Sequence, residues 1–134
     1  MTTDAKREAQ QCDELAERMG YKVINLEQKR ATKSNVGLPD RRYVGKHAFF
    51  FERKTTRPTS EGGRDKLSRE QHTFLRNELD AGAIASCGGF VELSALLAAL
   101  QRSSLVHARN LCGAQLDAWV RRGFRGERLT RKAA

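Results

Sequence analysis

Two carboxylates and a lysine stand where they could act on one substrate. Asp40 follows Gly37–Leu38–Pro39, and Glu52–Arg53–Lys54 comes twelve residues later. The intervening segment reads as a hairpin: Arg41 to Val44 as a strand, Gly45–Lys46 as the turn, and Ala48–Phe49–Phe50–Phe51 as the most β-prone run of the chain. Asp40 would open one strand, while Glu52 and Lys54 would close the next, so the two ends meet. Residues two apart on a strand share a face, which puts Glu52 beside Lys54. Paired carboxylates repel unless a cation lies between them, and hard oxygen donors suit Mg²⁺ or Mn²⁺. A lysine at such a centre can orient a water or stabilise charge on phosphorus. The chemistry implied is hydrolysis of a phosphodiester. The plain alternative is a solvated strand end, the commonest fate of charged residues.

Charge points the same way. The chain has 134 residues, 25 Lys+Arg, 16 Asp+Glu and a net charge of +9. Such a domain is expected to meet a polyanion, most often nucleic acid. Residues 21–60 carry ten basic and three acidic groups, and the acids are Glu27, Asp40 and Glu52. Lys29, Arg30, Lys33, Arg41, Arg42, Arg53 and Arg57 flank the candidate site in sequence and are candidate phosphate contacts. Residues 103–134 carry seven basic and two acidic groups, including Arg121, Arg122, Arg125, Arg128, Arg131 and Lys132, which could form a second backbone contact or a disordered arm.

The elements that must position these groups follow from patterning. Cys12, Leu15, Ala16 and Met19 form one face of a helix over residues 5–19, stopped by Gly20. Residues 21–26 read as a strand. The aromatics of 48–51 point to both faces, as in a central strand covered on both sides. Residues 55–66 are a long polar loop of the functional or mobile kind. Ser68–Arg69–Glu70–Gln71 has the form of a capping box, and Phe74, Leu75 and Leu79 give its helix an apolar stripe. Residues 83–87 read as a buried strand, 94–101 as a helix, and 114–120 as a short helix anchored by Trp119. The predicted class is α/β, with helices flanking a central mixed sheet in which the early strands form hairpins and the strand–helix–strand unit is a parallel crossover. Residues 1–102 form the predicted domain and 103–134 a basic extension.

Composition excludes several classes. At 39% hydrophobic and 31% charged the chain suits a globular domain, not a disordered one. No apolar run approaches the roughly 18 residues of a membrane span, and the polar N-terminus lacks a signal-peptide core. A cytoplasmic or nucleoid-associated location is expected. Cys12, Cys87 and Cys112 are too scattered for a zinc site and are expected as buried free thiols.

The pattern Pro39–Asp40 … Glu52–x–Lys54 resembles the PD-(D/E)XK nuclease superfamily. The fuller set is Gly37–Leu38–Pro39–Asp40, Glu52–Arg53–Lys54, Leu67–Ser68–Arg69–Glu70–Gln71 and Leu79–Asp80–Ala81–Gly82. It is similar to the VRR-NUC domains of that superfamily over about residues 5–101. The resemblance implies a restriction-endonuclease-like αβββαβ core, with Asp40 and Glu52 as metal ligands and the Arg53 backbone carbonyl as a further oxygen. It makes Lys54 the catalytic lysine and Gln71 the helix glutamine near the site, which the capping box alone also explains. These nucleases often add an acid from the first helix. Of Glu8, Glu14 and Glu17, only Glu8 shares the inward face. His47 and His72 lack a partner carboxylate and are not expected to act as bases. The resemblance implies a Mg²⁺- or Mn²⁺-dependent, structure-selective DNA endonuclease, similar to Holliday-junction resolvases. One small domain holds one site, so cutting both strands would need a two-fold homodimer. Flap, nicked or linear DNA, RNA, and a non-catalytic DNA-binding role are the alternatives.

Overall fold

In the computed structural model, the residues described are 4–27, 37–56, 64–102 and 104–127. Four helices and four strands follow in the order α1 (Asp4–Arg18), β1 (Lys22–Asn25), β2 (Arg41–Val44), β3 (Ala48–Arg53), α2 (Arg69–Asp80), β4 (Ile84–Gly88), α3 (Phe90–Arg102) and α4 (Leu105–Val120). The strands lie in the sheet in sequence order, β1–β2–β3–β4. β1–β2 and β2–β3 are antiparallel, with Tyr43 opposite Phe49 and Arg41 opposite Phe51. β3–β4 is parallel, with Glu52 opposite Cys87, and α2 makes the crossover. This is the mixed sheet expected from the sequence.

β3 is central, and its aromatics do divide between the faces. Phe49 and Phe51 are buried with Tyr43, at ring separations of 5.4 Å for Tyr43–Phe49 and 6.5 Å for Phe49–Phe51. This side meets α1, whose Asp13 accepts from the Tyr43 hydroxyl at 2.8 Å. Phe50 points the other way and packs edge-on against Phe74 of α2 at 5.1 Å. Period two therefore places the helices on both faces. α1 buries Glu8, Cys12 and Ala16.

β3 closes with Glu52 and Arg53, as expected. Two boundaries differ from the sequence expectation. α3 begins at Phe90, a turn before Ser94, because Gly89 starts the helix and its amide donates to Glu92 Oε1 at 2.8 Å. α4 has sixteen residues rather than the seven expected at 114–120. Its Ala108, Cys112, Leu116 and Trp119 recur at helical spacing and join the same core cluster as the residues before 103. α4 lies along β4, where the Ser86 hydroxyl donates to Gln115 Oε1 at 2.6 Å. Covering β4 in this way protects an otherwise open sheet edge.

All three cysteines are free and buried. Burial pushes the Cys12 thiol up to about 12 and the Cys112 thiol up to about 11, so both stay protonated near neutrality. No described helix is long and apolar enough to cross a membrane.

Candidate active site

The ends of β2 and β3 are locked together by their own acids. The Asp40 amide donates to Glu52 Oε1 at 3.0 Å, and the Arg53 amide donates to Asp40 Oδ1 at 3.0 Å. Each carboxylate thus caps the other's strand. The Leu26 amide, at the end of β1, donates to the Asp40 carbonyl at 2.9 Å. Gly37 has φ +86, and a Cβ there would overlap the Glu70 carbonyl at the start of α2. The turn that delivers Asp40 can therefore press on α2 only as glycine.

Asp40 is 5% exposed and Glu52 3% exposed. Burial pushes the Asp40 pKa above the usual carboxylate range, although the Arg53 guanidinium and amide pull it back. Lys54 follows at the strand end, where its amide donates to the Gly88 carbonyl at 2.8 Å. Its Nζ is 3.6 Å from Glu52 Oε2 and 3.8 Å from Asp65 Oδ1. Burial lowers the Lys54 pKa against the pull of those two acids. Asp40, Glu52 and Lys54 are thus brought together, as their spacing predicts.

Glu8 is the buried acid of α1, while Glu14 and Glu17 are exposed, as the helical phase requires. Its carboxylate accepts from the Thr55 hydroxyl at 2.7 Å, the Thr56 amide at 3.3 Å and the Phe90 amide at 3.0 Å. These bonds fasten the chain just after Lys54 to the start of α3 and do not reach Asp40 or Glu52. A Cβ on Gly89 would overlap this carboxylate, so the glycine makes room for it. A groove of about 250 Å³ opens beside it, lined by Arg7, Gln11 and Val91 among others. Gln71 completes the capping box: its backbone amide donates to Ser68 Oγ at 3.0 Å and its Oε1 accepts from the Ser68 amide at 2.9 Å. The cap leaves the amide nitrogen of this buried side chain over.

The basic residues divide. Arg41 and Arg53, candidates for phosphate contact, are turned inward to acids. Arg41 Nε donates to both Asp13 oxygens at 3.2 Å, and its Nη1 to the Asp40 carbonyl at 2.9 Å. Arg53 reaches Asp40 and Glu27 at 3.2 and 3.1 Å, and donates to Asp13 and the Ala9 carbonyl at 3.1 and 3.0 Å. A buried guanidinium needs such partners, so these two serve the fold rather than a ligand. Arg42 lies over the Phe50 ring, 4.4 Å from its centre. Lys29, Arg30, Lys33 and Arg57 lie outside the described residues.

Three acids at this centre have no role that the sequence alone assigns. Asp13 and Asp65 are 28 and 11 residues from the cations they meet, Arg41 and Lys54, and no local spacing marks such pairs. Glu27 is legible as an acid misplaced in a basic stretch, and its partners are Arg41 and Arg53.

Among the described residues no three His, Cys, Asp or Glu side chains gather as a metal cluster. The donor set at Asp40 and Glu52 nevertheless fits a hard cation. Asp40 already accepts from the Arg53 amide and guanidinium at 3.0 and 3.2 Å, yet a carboxylate oxygen carries two lone pairs, and added positive charge would offset the burial that raises Asp40. Two carboxylates with waters and a phosphate are a common Mg²⁺ environment. The Arg53 carbonyl leaves the strand on the same side as its amide, towards Asp40.

Comparison with protein-family models, with curated proteins and with solved structures returns no match.

Proposed function

We propose that the chain is a metal-dependent endonuclease of the PD-(D/E)XK type, most similar to the VRR-NUC domains. The observation that carries this reading is the clasp of Asp40 and Glu52, two buried carboxylates on adjoining strand ends, with the Lys54 ammonium 3.6 Å from Glu52. Asp40, Glu52 and the Arg53 carbonyl would hold Mg²⁺ or Mn²⁺, which when bound polarises a phosphate and lowers the pKa of a water. Lys54 then acts as donor to the attacking water or to a phosphate oxygen, its chain fixed by the bond to Gly88. Glu8 holds the strand end in place through Thr55 and Thr56, a positioning role. Gln71 is offered to the site through the amide nitrogen the cap does not use.

The substrate in this reading is branched DNA, resolved by a homodimer with one site per chain. A non-catalytic DNA-binding module is the rival, and it draws on the Arg53 guanidinium already lying against Asp40. Retention of both acids and the lysine favours the enzyme.

The test is incubation with labelled four-way junction, flap and linear duplex in Mg²⁺, Mn²⁺ or EDTA. Junction cleavage in metal and none in EDTA is expected. No cleavage of any substrate in metal would remove the enzyme, and cleavage confined to flap or linear DNA would reassign the substrate. A monomer by chromatographic mass that still cuts junctions symmetrically would refute the dimer.

A further inference from the structure

The chain after α4 folds back to the site. Gly123 and Gly126, at φ +90 and +82, turn it around. Phe124 then bridges in parallel with Leu67, the Arg125 amide donates to the Leu67 carbonyl at 2.7 Å, and Arg125 Nη2 reaches the Lys66 carbonyl at 3.4 Å. The Phe124 ring lies 4.6 Å beneath the Arg69 guanidinium and 5.7 Å from the His72 ring. Arg69 and Glu127 make a two-pronged ion pair. Residues 124–127 are therefore docked along the lead into α2 by backbone, ring and charge together.

Docking gathers cations. Lys66, Arg69 and Arg125 come together along this turn, Arg122 stands just before it over Trp119, and Asp65 and Glu127 are the acids that pair with them. Glu127 takes Arg69 out of play. Arg122 lies flat on the Trp119 ring at 3.8 Å, which limits the freedom it would lose on meeting a ligand. Arg125 is tied by its backbone, while its side chain remains 55% exposed. Its Nη2 is 3.9 Å from Asp65 Oδ1, and that oxygen is 3.8 Å from Lys54 Nζ. One carboxylate thus separates Arg125 from the site lysine. Arg41 and Arg53, by contrast, are spent on Asp13, Glu27 and Asp40.

We propose that this docked turn is the phosphate-holding rim of the site, with Lys66, Arg122 and Arg125 as its backbone contacts to nucleic acid. The inference rests on the nuclease reading of Asp40, Glu52 and Lys54, and it locates the substrate's grip outside the motifs that suggest that reading. Phosphates on the rim would lie one side chain from Lys54, so binding and cleavage share one surface. The contacts are to phosphate and carry no sequence preference.

The test is equilibrium binding of the full chain to a fluorescent DNA duplex in EDTA, by anisotropy, from about 50 to about 200 mM salt. Removing one cation that neutralises a phosphate flattens the log–log salt slope by about 0.9, so Lys66→Ala/Arg122→Ala/Arg125→Ala is expected to flatten it by about 3 and to weaken low-salt binding at least about tenfold. Arg18→Ala/Arg102→Ala, at exposed ends of α1 and α3, is expected to leave the slope alone. Arg125→Lys keeps the charge and is expected to keep the slope, whereas Arg125→Gln alone flattens it by about 0.9 and serves if the triple variant does not fold. An unchanged slope in a folded triple variant would overturn the rim and leave the nuclease standing. Wild-type binding through the rim with no cleavage in metal would keep the rim and remove the nuclease. Wild-type protein showing no salt-dependent binding would overturn the rim and leave the nuclease to the cleavage assay.

Discussion

The two sides of the β2–β3 strand end use charge in opposite ways. On the α1 side, the Arg53 guanidinium donates at 3.0–3.2 Å to Asp40, Asp13, Glu27 and the Ala9 carbonyl. On the other side, Lys54 faces Glu52 and Asp65 at 3.6 and 3.8 Å, longer than hydrogen bonds. Burial alone would lower Arg53's pKa, but Asp40 and Asp13 outweigh it and the pKa rises. For Lys54 the same contest ends with burial ahead and the pKa lowered. Adjacent residues thus divide the labour. Arg53 is a saturated structural cation, and Lys54 is a cation whose donors are not drawn into short bonds with its acids. Asp40 and Glu52 stand between the two, linked to both.

The comparison breaks most sharply on activity. Glu52→Gln and Lys54→Met keep side-chain volume and are expected to cost about 10²–10⁴-fold in cleavage rate at saturating metal. Single-turnover cleavage measures this, with unfolding midpoints showing that the fold persists. Either variant cutting at the wild-type rate would move the site elsewhere.

Arg53→Ala should show the reverse profile. It strands Asp13 and Asp40 as under-compensated acids, with an expected stability loss of about 3–5 kcal/mol by urea unfolding. Arg53→Lys is not expected to restore it, because an ammonium cannot replace a forked guanidinium across three acids. Asp65→Asn on the Lys54 side should cost under about 1 kcal/mol, since that pair is long and part-exposed. Equal losses on both sides would erase the distinction.

Much of this centre is legible in the sequence, and the limit is physical. Asp40, Glu52 and Lys54 are readable because a hairpin turns chain spacing into spatial neighbourhood. Glu8 is readable because helical phase separates it from Glu14 and Glu17. The capping box of Ser68 and Gln71 depends on four consecutive residues and is present as written. Arg41 and Arg53 mislead, because charge type alone does not tell a buried ion pair from a phosphate contact. Their partner Asp13 lies on a helix 28 and 40 residues away, where only the fold makes the pairing. Residue 94 reads as the start of a helix, yet α3 begins at Phe90, behind Gly89, where only glycine leaves space for Glu8. Mixed composition hides the full length of α4, although Ala108, Cys112, Leu116 and Trp119 carry the period.

Gln71 is fixed by the cap and is the proposed amide donor of the site. Gln71→Glu keeps the oxygen that accepts from the Ser68 amide and suits the positive end of α2, so stability is expected to hold. It removes the amide donor, and cleavage is expected to fall about tenfold, equivalent to about 1.4 kcal/mol of barrier. Unchanged cleavage would confine Gln71 to the cap and leave the site to the two acids and the lysine.

The smallest effect lies at His72, one residue on, where α2 meets the docked turn. Burial lowers its pKa, Arg76 and Arg69 lower it further, and Asp117 of α4 raises it. The folded-state pKa therefore lies below the unfolded value of about 6.5, and the unfolded chain takes up the proton first as pH falls. The stability involved is fully present above about 6.5 and is lost as pH falls through the folded pKa. Wild-type protein should thus lose stability on acidification in that window faster than His72→Gln, whose side chain does not titrate. Urea midpoints of the two proteins at about pH 7 and about pH 5 measure the difference. The effect is small because His72 is only half-buried and Asp117 offsets part of the lowering. A wild-type profile as flat as the variant's would show that the docked turn leaves His72 as free to charge as it is in the unfolded chain.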